Sequence, residues 1–197
     1  MMAPKIGVLA FQGDFSRHLS VLSQLGCDTQ AVRRPEELKG LQGLVIPGGE
    51  STTIGLLLER FGLMDEIRGA ADGGLALMGT CAGAILLSRE ILGSSQPRLG
   101  ILDTEIRRNA YGRQVDSFEA DVTVPKLGER PFRGVFIRAP KFVGSGPDVV
   151  VLARFDGAPV MVQQGRHLAL TFHPELTDDY RIHRYFLSNL SELPSAA

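Results

Sequence analysis

The sequence is poor in several features, and each shortage excludes a class of protein. Two cysteines, Cys27 and Cys81, are too few for a disulfide framework and fit a reducing cytosol, although a single bridge stays open. Excess charge is also lacking: the net charge is −1 over 197 residues, which gives no reason to expect a nucleic-acid partner. No apolar run is long enough to span a bilayer, and the apolar N-terminal stretch is too short for a signal peptide. We therefore expect a cytoplasmic globular protein.

The order of predicted elements indicates one α/β domain over residues 1–197. Apolar segments at 5–11, 27–33, 41–47 and 75–79 predict strands, and helical patterns separate the first from the second and the third from the fourth. This alternation is typical of a parallel sheet flanked by helices. After about Leu99 the pattern changes to short β-like runs with DG and QG turns, which predict hairpins or an antiparallel extension of the sheet. A final helix at 178–190 precedes a polar tail that we expect to be frayed.

Cys81 stands where the fourth strand is expected to turn into a helix. The residues around it, GTCAG, have the form G-x-C-x-G, a cysteine version of the nucleophile elbow. Small flanking residues let such a turn pack closely, and the start of the following helix favours a thiolate. Cys27 has no such flanks and is interpreted as a small buried hydrophobic residue, which is the commoner role of cysteine.

A cysteine nucleophile needs a base, and the chain has only four histidines. His18 and His183 stand beside arginines in helical patterns and are interpreted as residues of solvated helix faces, while His167 follows a predicted hairpin turn. His173 differs, because it ends an apolar strand in FHPE, with a carboxylate two residues later at Glu175. Alone, this motif indicates only a turn. Together with the elbow it predicts a Cys-His-Glu triad.

The glycine-rich segment IPGGEST follows the third predicted strand and is the candidate oxyanion loop. Carboxyl ends of parallel strands share one crevice, so this loop is expected to face Cys81. Backbone N–H groups of Gly49 and Ala82 are the candidate donors to the oxyanion. A glycine turn followed by a helix cap at Ser51 or Thr52 is compatible with this role. Phosphate binding is disfavoured, because neither a P-loop nor a dinucleotide motif follows.

These motifs resemble those of the class I (triad) glutamine amidotransferases. Further blocks, GVLAFQGDFSRH, RNAYGRQVDSFEAD (108–121), GVFIRAP and FHPELT, fall in family order over nearly the whole chain and are similar to the glutaminase subunits of pyridoxal 5′-phosphate synthase. The resemblance implies a three-layer, flavodoxin-like α/β fold with a mostly parallel central sheet and an antiparallel β extension. It also implies hydrolysis of L-glutamine to L-glutamate and ammonia without a metal or organic cofactor. The ammonia would pass to a synthase subunit, in a large hetero-oligomer, for synthesis of the vitamin B6 cofactor from a pentose and a triose phosphate.

The resemblance also assigns site residues. It implies Cys81 as the nucleophile, His173 as the general acid and base, and Glu175 as the carboxylate that orients His173. An α-carboxylate of glutamine calls for an arginine, but the residues alone do not select among Arg107, Arg108, Arg113 and Arg138, each of which could be a solvated charge. The glutamine-binding residues implied by the family are Gly49, Glu50, Ser51, Arg108, Ile137 and Arg138.

Two further expectations concern the partner. Free ammonia is largely protonated at neutral pH and diffuses away, so we expect weak activity alone and stimulation by the synthase subunit. Asp14, Phe15 and Arg17 depart from the family pattern in the first helix, which the resemblance places against that subunit.

Three other interpretations of the function stay open: an amidotransferase serving another acceptor, such as imidazole glycerol phosphate synthase, a non-enzymatic relative with a redox-sensitive Cys81, and a cysteine peptidase. The 108–121 block argues against the first, and His173 with Glu175 against the second. Glutamine consumption without peptide cleavage would distinguish a glutaminase from the third alternative, a cysteine peptidase.

Overall fold

The computed structural model describes residues 3–110 and 117–190 of the chain. The expected frayed tail and positions 111–116 of the 108–121 block, including Arg113, lie outside the described residues. The helices are α1 (Phe15–Gln24), α2 (Ser51–Arg60), α3 (Leu63–Asp72), α4 (Ala82–Leu87) and α5 (Arg181–Ser188). The strands are β1 (Lys5–Leu9), β2 (Asp28–Val32), β3 (Gly43–Ile46), β4 (Ala76–Thr80), β5 (Ser88–Ile91), β6 (Leu102–Arg107), β7 (Ser117–Val122), β8 (Phe132–Ile137), β9 (Lys141–Ser145), β10 (Val150–Phe155), β11 (Ala158–Gln164) and β12 (His167–Leu170).

A seven-stranded sheet with the order β10-β11-β12-β4-β3-β1-β2 forms the centre of the fold. The strands β2, β1, β3, β4 and β12 pair in parallel, in the order of flavodoxin-like sheets. Strands β10 and β11 add an antiparallel edge through the predicted hairpins, which turn at Asp156-Gly157 and Gly165-Arg166. The expected parallel sheet with an antiparallel extension is therefore confirmed.

Side chains of the central strands alternate between two hydrophobic clusters, which gives the three layers. Leu44 and Ile46 of β3 pack with α2, α3 and α4 on one face. Val45 points to the other face, where α1, α5 and the phenylalanines of the β7-β8 hairpin cover the sheet. Because successive strand residues face opposite sides, a strand buried on both faces is apolar along nearly its whole length, as β3 is, and as β4 is up to Thr80.

Two strands were not predicted from the sequence. Strand β5 follows α4 without a loop, and β9 begins just after the FIRAP block. Both join β6 in a separate three-stranded sheet. Each has exposed polar or glycine positions, and its pairing is set by β6 rather than by its own hydrophobic pattern.

The interruption of the long helical pattern at Gly62 is confirmed. Gly62 lies between α2 and α3 with φ of 69°, a left-handed conformation that glycine adopts without steric cost.

Candidate active site

Cys81 occupies the sharp turn between β4 and α4, as predicted. Its φ of 50° and ψ of −103° are unusual for a residue with a side chain, and such strain is typical of a nucleophile elbow. The backbone N–H of Cys81 donates to the carbonyl of Leu170, 2.8 Å away, which ties the elbow to the end of β12. The sulfur lies 3.7 Å from the carbonyl oxygen of Ile137. The turn thus contacts the ends of two strands, β12 of the central sheet and β8 of the β7-β8 hairpin.

The glycines that flank Cys81 allow the close packing expected of them. A β-carbon on Gly83 would lie 1.9 Å from the carbonyl oxygen of Ile46. A β-carbon on Gly79 would lie 2.6 Å from the backbone of Gly83. Any larger residue at either position would push α4 away from the sheet and so move Cys81.

His173 lies beside Cys81 and is anchored by the β7-β8 hairpin. Its backbone N–H donates to the carbonyl of Val135 at 2.9 Å, and its Nδ1 lies 2.8 Å from Oε1 of Glu175. Burial by itself lowers the pKa of His173, but hydrogen bonds with Cys81 and Glu175 outweigh burial and raise the pKa to about 10. The ring is therefore held between sulfur and carboxylate, as a triad requires.

Glu175 lies behind His173 and is almost fully buried, at 2% exposure. Burial opposes ionisation of this carboxyl, yet the nearby His18 and the hydrogen bond from His173 hold its pKa well below the usual range. An ionised carboxylate in a dry site is a strong electrostatic partner for a protonated histidine.

A cavity of about 260 Å³ opens above Cys81. Eight of the predicted site residues line it, and loops after β1, β3 and β4 form much of its wall, at the carboxyl edge of the sheet where ligands bind in such folds. Glu175 and Ala82 do not line it: Glu175 supports His173 from behind, and Ala82 is the first residue of α4. The predicted residues that line the cavity are Cys81, His173, Gly49, Glu50, Ser51, Arg108, Ile137 and Arg138.

An ion pair crosses the mouth of this cavity. Nη2 of Arg108 lies 3.0 Å from Oε1 of Glu50. The Glu50 carboxylate also accepts hydrogen bonds from the backbone N–H groups of Thr52 and Thr53 and so caps α2. Burial opposes its ionisation, but these hydrogen bonds and those of the threonine side chains lower its pKa to about 2. Both charges are thus held at fixed positions facing the cavity.

Sequence reasoning missed three residues that hold this ion pair. The side-chain oxygen of Gln96 accepts from Nη1 of Arg108 at 2.6 Å and from the hydroxyl of Ser51 at 3.3 Å. The hydroxyl of Thr52 accepts from the same Nη1 at 2.9 Å. The side-chain oxygen of Gln12 accepts from the backbone N–H of Glu50 at 2.8 Å. Thr52 was visible only as a helix cap. Gln12 lies within the GVLAFQGDFSRH block but was given no role there, and Gln96 lies in no recognised motif.

The prediction that His18 and His183 are residues of solvated helix faces was wrong. Both side chains are fully buried. The helical spacing contained the correct signal, because His18 is three residues after Phe15 and four before Leu22, on the apolar face of α1. His183 is likewise three residues before the buried Phe186 of α5. The adjacent arginines, Arg17 and Arg184, are on the exposed side.

The remaining cysteine and histidine are placed as expected. Cys27 is buried among hydrophobic residues, which raises the pKa of its thiol, and it forms no bridge with Cys81. His167 begins β12 directly after the hairpin turn. Arg107 is exposed on β6 and does not line the cavity, unlike its neighbour Arg108.

A larger open groove of about 850 Å³ lies between α3 and the segment that follows β5. Its described lining contains no cysteine or histidine, and its Arg68 is paired with Asp65 and the carbonyls of Arg98 and Leu99. Within residues 3–110 and 117–190, no cluster of three metal-ligating side chains occurs. No helix in these ranges is long and apolar enough to cross a membrane. The candidate active site is therefore the cavity at Cys81.

Comparison with known proteins matches residues 8–192 to the model of the SNO glutamine amidotransferase family. The chain belongs to the SNO glutamine amidotransferase family. A curated member, pyridoxal 5′-phosphate synthase subunit PdxT of Pelotomaculum thermopropionicum, is 59% identical over 93% of this chain and 93% of its own length. A PdxT subunit of Thermus thermophilus is 57% identical over 92% of this chain and 95% of its own length.

A solved structure described as a glutamine amidotransferase superposes on this SNO family chain with a TM-score of 0.89. The sequence of that structure is 55% identical to this chain, and the match spans 94% of this chain and 98% of the solved chain. The resemblance stated from the sequence and the predicted α/β amidotransferase fold are confirmed by these matches. The chain is an enzyme of the SNO family, a glutaminase.

Proposed function

We propose that Cys81, His173 and Glu175 are the catalytic triad with which this glutaminase hydrolyses L-glutamine to L-glutamate and ammonia for pyridoxal 5′-phosphate synthesis. The observation that carries the assignment is the row of side chains from Cys81 through His173 to Glu175. Cys81 and His173 line the cavity, and Nδ1 of His173 lies 2.8 Å from Oε1 of Glu175 behind it. A strained elbow, a basic imidazole and a buried carboxylate are the three parts that nucleophilic catalysis by a thiol requires.

The reaction runs in two halves. The Cys81 thiolate attacks the side-chain amide carbon of glutamine, and protonated His173 gives its proton to the departing nitrogen, which leaves as ammonia. A γ-glutamyl thioester remains on Cys81. His173 then takes a proton from water, the resulting hydroxide attacks the thioester, and glutamate leaves as the thiolate reforms. Glu175 keeps the imidazole oriented and stabilises its charged form in both halves.

The negative oxygen of each tetrahedral intermediate needs donors near Cys81. We assign this role to the backbone N–H groups of Gly49 and Ala82. Ala82 is the first residue of α4, and the first N–H groups of a helix have no carbonyl partner within it. Gly49 has φ of 145°, which a residue with a side chain rarely adopts, so glycine is needed for this loop conformation.

The ion pair at the cavity mouth fits the two charges of the amino-acid end of glutamine. Arg108 can bind the α-carboxylate, and the Glu50 carboxylate can bind the α-ammonium group. Gly49, Ser51, Ile137 and Arg138 complete the binding wall. Because Glu50 and Arg108 already face each other at 3.0 Å, substrate binding replaces one ion pair by two.

The partner we propose is a pyridoxal 5′-phosphate synthase subunit, in a large hetero-oligomer. The names of the PdxT relatives, both more than half identical to this chain, support this choice. They also disfavour imidazole glycerol phosphate synthase as the acceptor. The enzyme would work as one domain in the cytoplasm, where a free thiol such as Cys81 stays reduced. We expect weak glutaminase activity alone and stimulation by the synthase subunit.

Glutamate release from L-glutamine tests this function. Wild type, Cys81→Ala and Cys27→Ala are each assayed with and without a pyridoxal 5′-phosphate synthase subunit, and a peptide substrate is assayed in parallel. We expect partner-stimulated release that Cys81→Ala abolishes and Cys27→Ala retains, with no peptide cleavage. A trapped γ-glutamyl adduct on the peptide that contains Cys81 would identify the thioester by mass spectrometry. Equal turnover with and without the partner would exclude stimulation, and no release by wild type with bound partner would overturn the proposed function.

A further inference from the structure

Two buried histidines extend the triad on the side away from the cavity. His18 on α1 and His183 on α5 both have 0% exposure. Nε2 of His18 lies 3.3 Å from Oε2 of Glu175, and Nδ1 of His18 lies 3.0 Å from Nε2 of His183. Since Oε1 of Glu175 already contacts His173, the four side chains form one row, His173, Glu175, His18 and His183.

Glu175 needs support at its second oxygen. A buried carboxylate is costly unless its oxygens have partners, and among the described residues no hydrogen bond of good geometry reaches Oε2. The His18 ring, 3.3 Å away, therefore supplies its support as a close electrostatic contact. The His18 and His173 rings both favour the charged form of Glu175 and so hold the pKa of that carboxyl low, against the effect of burial.

His183 fixes which nitrogen of His18 carries a proton. Burial and the neighbouring His18 lower the pKa of His183 to about 3, so it is neutral at neutral pH. Nδ1 of His183 has no hydrogen-bond partner among the described residues. If Nε2 of His183 carries the proton, it donates to His18, and only an acceptor is left unpaired. His18 then carries its own proton on Nε2, which faces Glu175.

We propose that His18 is a positioning residue of the glutaminase, which keeps Glu175 ionised and oriented toward His173, and that His183 fixes the ring of His18. This inference rests on the proposed function of the triad. His18 has no place in the cavity, so it acts on the reaction through Glu175 and not on glutamine binding.

The pH dependence of the reaction gives the sharpest test. The titratable groups facing His18 are Glu175 and His183, with His173 beyond the carboxylate, and the hydroxyl of Thr80 lies 3.5 Å from its Nε2. Loss of the His18 ring removes support for the charged form of Glu175, so the pKa of that carboxyl rises. As the solution is acidified, a variant without this ring should therefore lose activity at a higher pH than the wild type does.

The experiment measures kcat and KM for glutamine against pH, with the synthase subunit present and Cys81→Ala as background. For His18→Leu we expect kcat to fall about 10- to 100-fold, as for loss of residues that orient catalytic ligands, with KM within about twofold of wild type. The acidic limb of the kcat/KM profile should move to higher pH than in the wild type. In His18→Gln the amide nitrogen can reach the position of Nε2. This variant should therefore have a higher kcat than His18→Leu, and its acidic limb should lie closer to that of the wild type. His183→Leu should shift the limb in the same direction but less.

Leu22→Ala is the matched control, because Leu22 is fully buried on the same helix and belongs to the hydrophobic cluster. Its acidic limb should stay at the wild-type pH even if its stability falls. An unmoved limb in His18→Leu, or the same loss in Leu22→Ala, would overturn the inference while leaving the proposed function intact. Absence of wild-type glutaminase activity would instead overturn the proposed function.

A measurement on the wild-type protein covers the case in which His18→Leu does not fold. In ring-¹⁵N-labelled protein we expect one slowly exchanging proton coupled to a ring nitrogen of His183, with a hydrogen-bond coupling to His18. Rapid exchange of both rings with solvent would contradict the buried row.

Discussion

Gly48 lies so close to His173 that a β-carbon on Gly48 would be 2.4 Å from the Cε1 atom of the imidazole. Gly48→Ala therefore displaces His173 from Cys81, unless the loop after β3 moves. Misplacement of a reacting group by about 1 Å costs about 100-fold in rate, so we expect kcat for glutamine to fall by that order. Glutamate release measured against substrate concentration gives kcat and KM separately.

Gly69→Ala is the control for this substitution. A β-carbon on Gly69 meets nothing within 4 Å, and the residue is exposed within α3. Replacement of a helical glycine by alanine stabilises a protein by up to about 1 kcal/mol, so urea unfolding should show a small gain with unchanged activity. If Gly48→Ala has the activity of Gly69→Ala, the close contact does not determine the position of His173.

The Arg108 guanidinium contacts Glu50, Thr52 and Gln96 at once, which an ammonium group cannot do in the same plane. Arg108→Lys should therefore weaken glutamine binding, with KM raised about 10- to 100-fold, the equivalent of about 1.5–3 kcal/mol for a lost charged hydrogen bond. The change in kcat should be smaller, because the reacting amide lies at Cys81. Steady-state kinetics check both values.

The neighbouring Arg107 gives a matched comparison, since it is exposed and does not line the cavity. Arg107→Lys should keep the wild-type KM. Equal KM values for the two lysine variants would mean that Arg108 holds the loop rather than the substrate.

The sequence predicted those parts of the fold in which local pattern and tertiary packing agree. Strands β3 and β4 are apolar because both of their faces are covered, and the elbow at Cys81 has glycines because Ile46 packs against Gly83. Strands β5 and β9 were missed because their pairing with β6 depends on residues far away in the chain.

The candidate site likewise contains residues with a local sequence signal and residues whose role depends on the fold. Cys81, His173 and Glu175 were predicted because their chemistry requires recognisable neighbours. Gln96 was missed because its role depends on a fold that brings it to Arg108, 12 residues away along the chain. The prediction for His18 was wrong because Arg17 beside it is exposed, whereas the spacing of His18 from Phe15 and Leu22 places it on the buried face of α1.

The pKa of His173 depends on Cys81, and this dependence can be measured. Hydrogen bonds to Cys81 and Glu175 raise the pKa to about 10 against the effect of burial. Cys81→Ala removes one of these partners, so the pKa of His173 should fall, while Glu175 still holds it above the value that burial alone would give. NMR titration of the ring nitrogens follows His173 directly, and an unchanged midpoint in Cys81→Ala would contradict the contact.

His167 makes the stability of the fold depend on pH at a position away from the cavity. Burial and the charge of Arg166 lower its pKa from 6.5 to about 4. Between these pH values the unfolded chain binds a proton that the folded chain does not, so the free energy of unfolding decreases as pH falls through this window and is unaffected above it. From about pH 7.5 to about pH 4.5 the loss attributable to His167 should be about 1–3 kcal/mol.

His167→Gln removes this titration. Urea unfolding should therefore show a smaller loss of stability on acidification than in wild type, by about 1–3 kcal/mol. Glutaminase activity at neutral pH should stay at the wild-type level, because the side chain is not part of the cavity. Parallel stability curves for the two proteins would show that His167 binds its proton equally well in the folded and the unfolded chain.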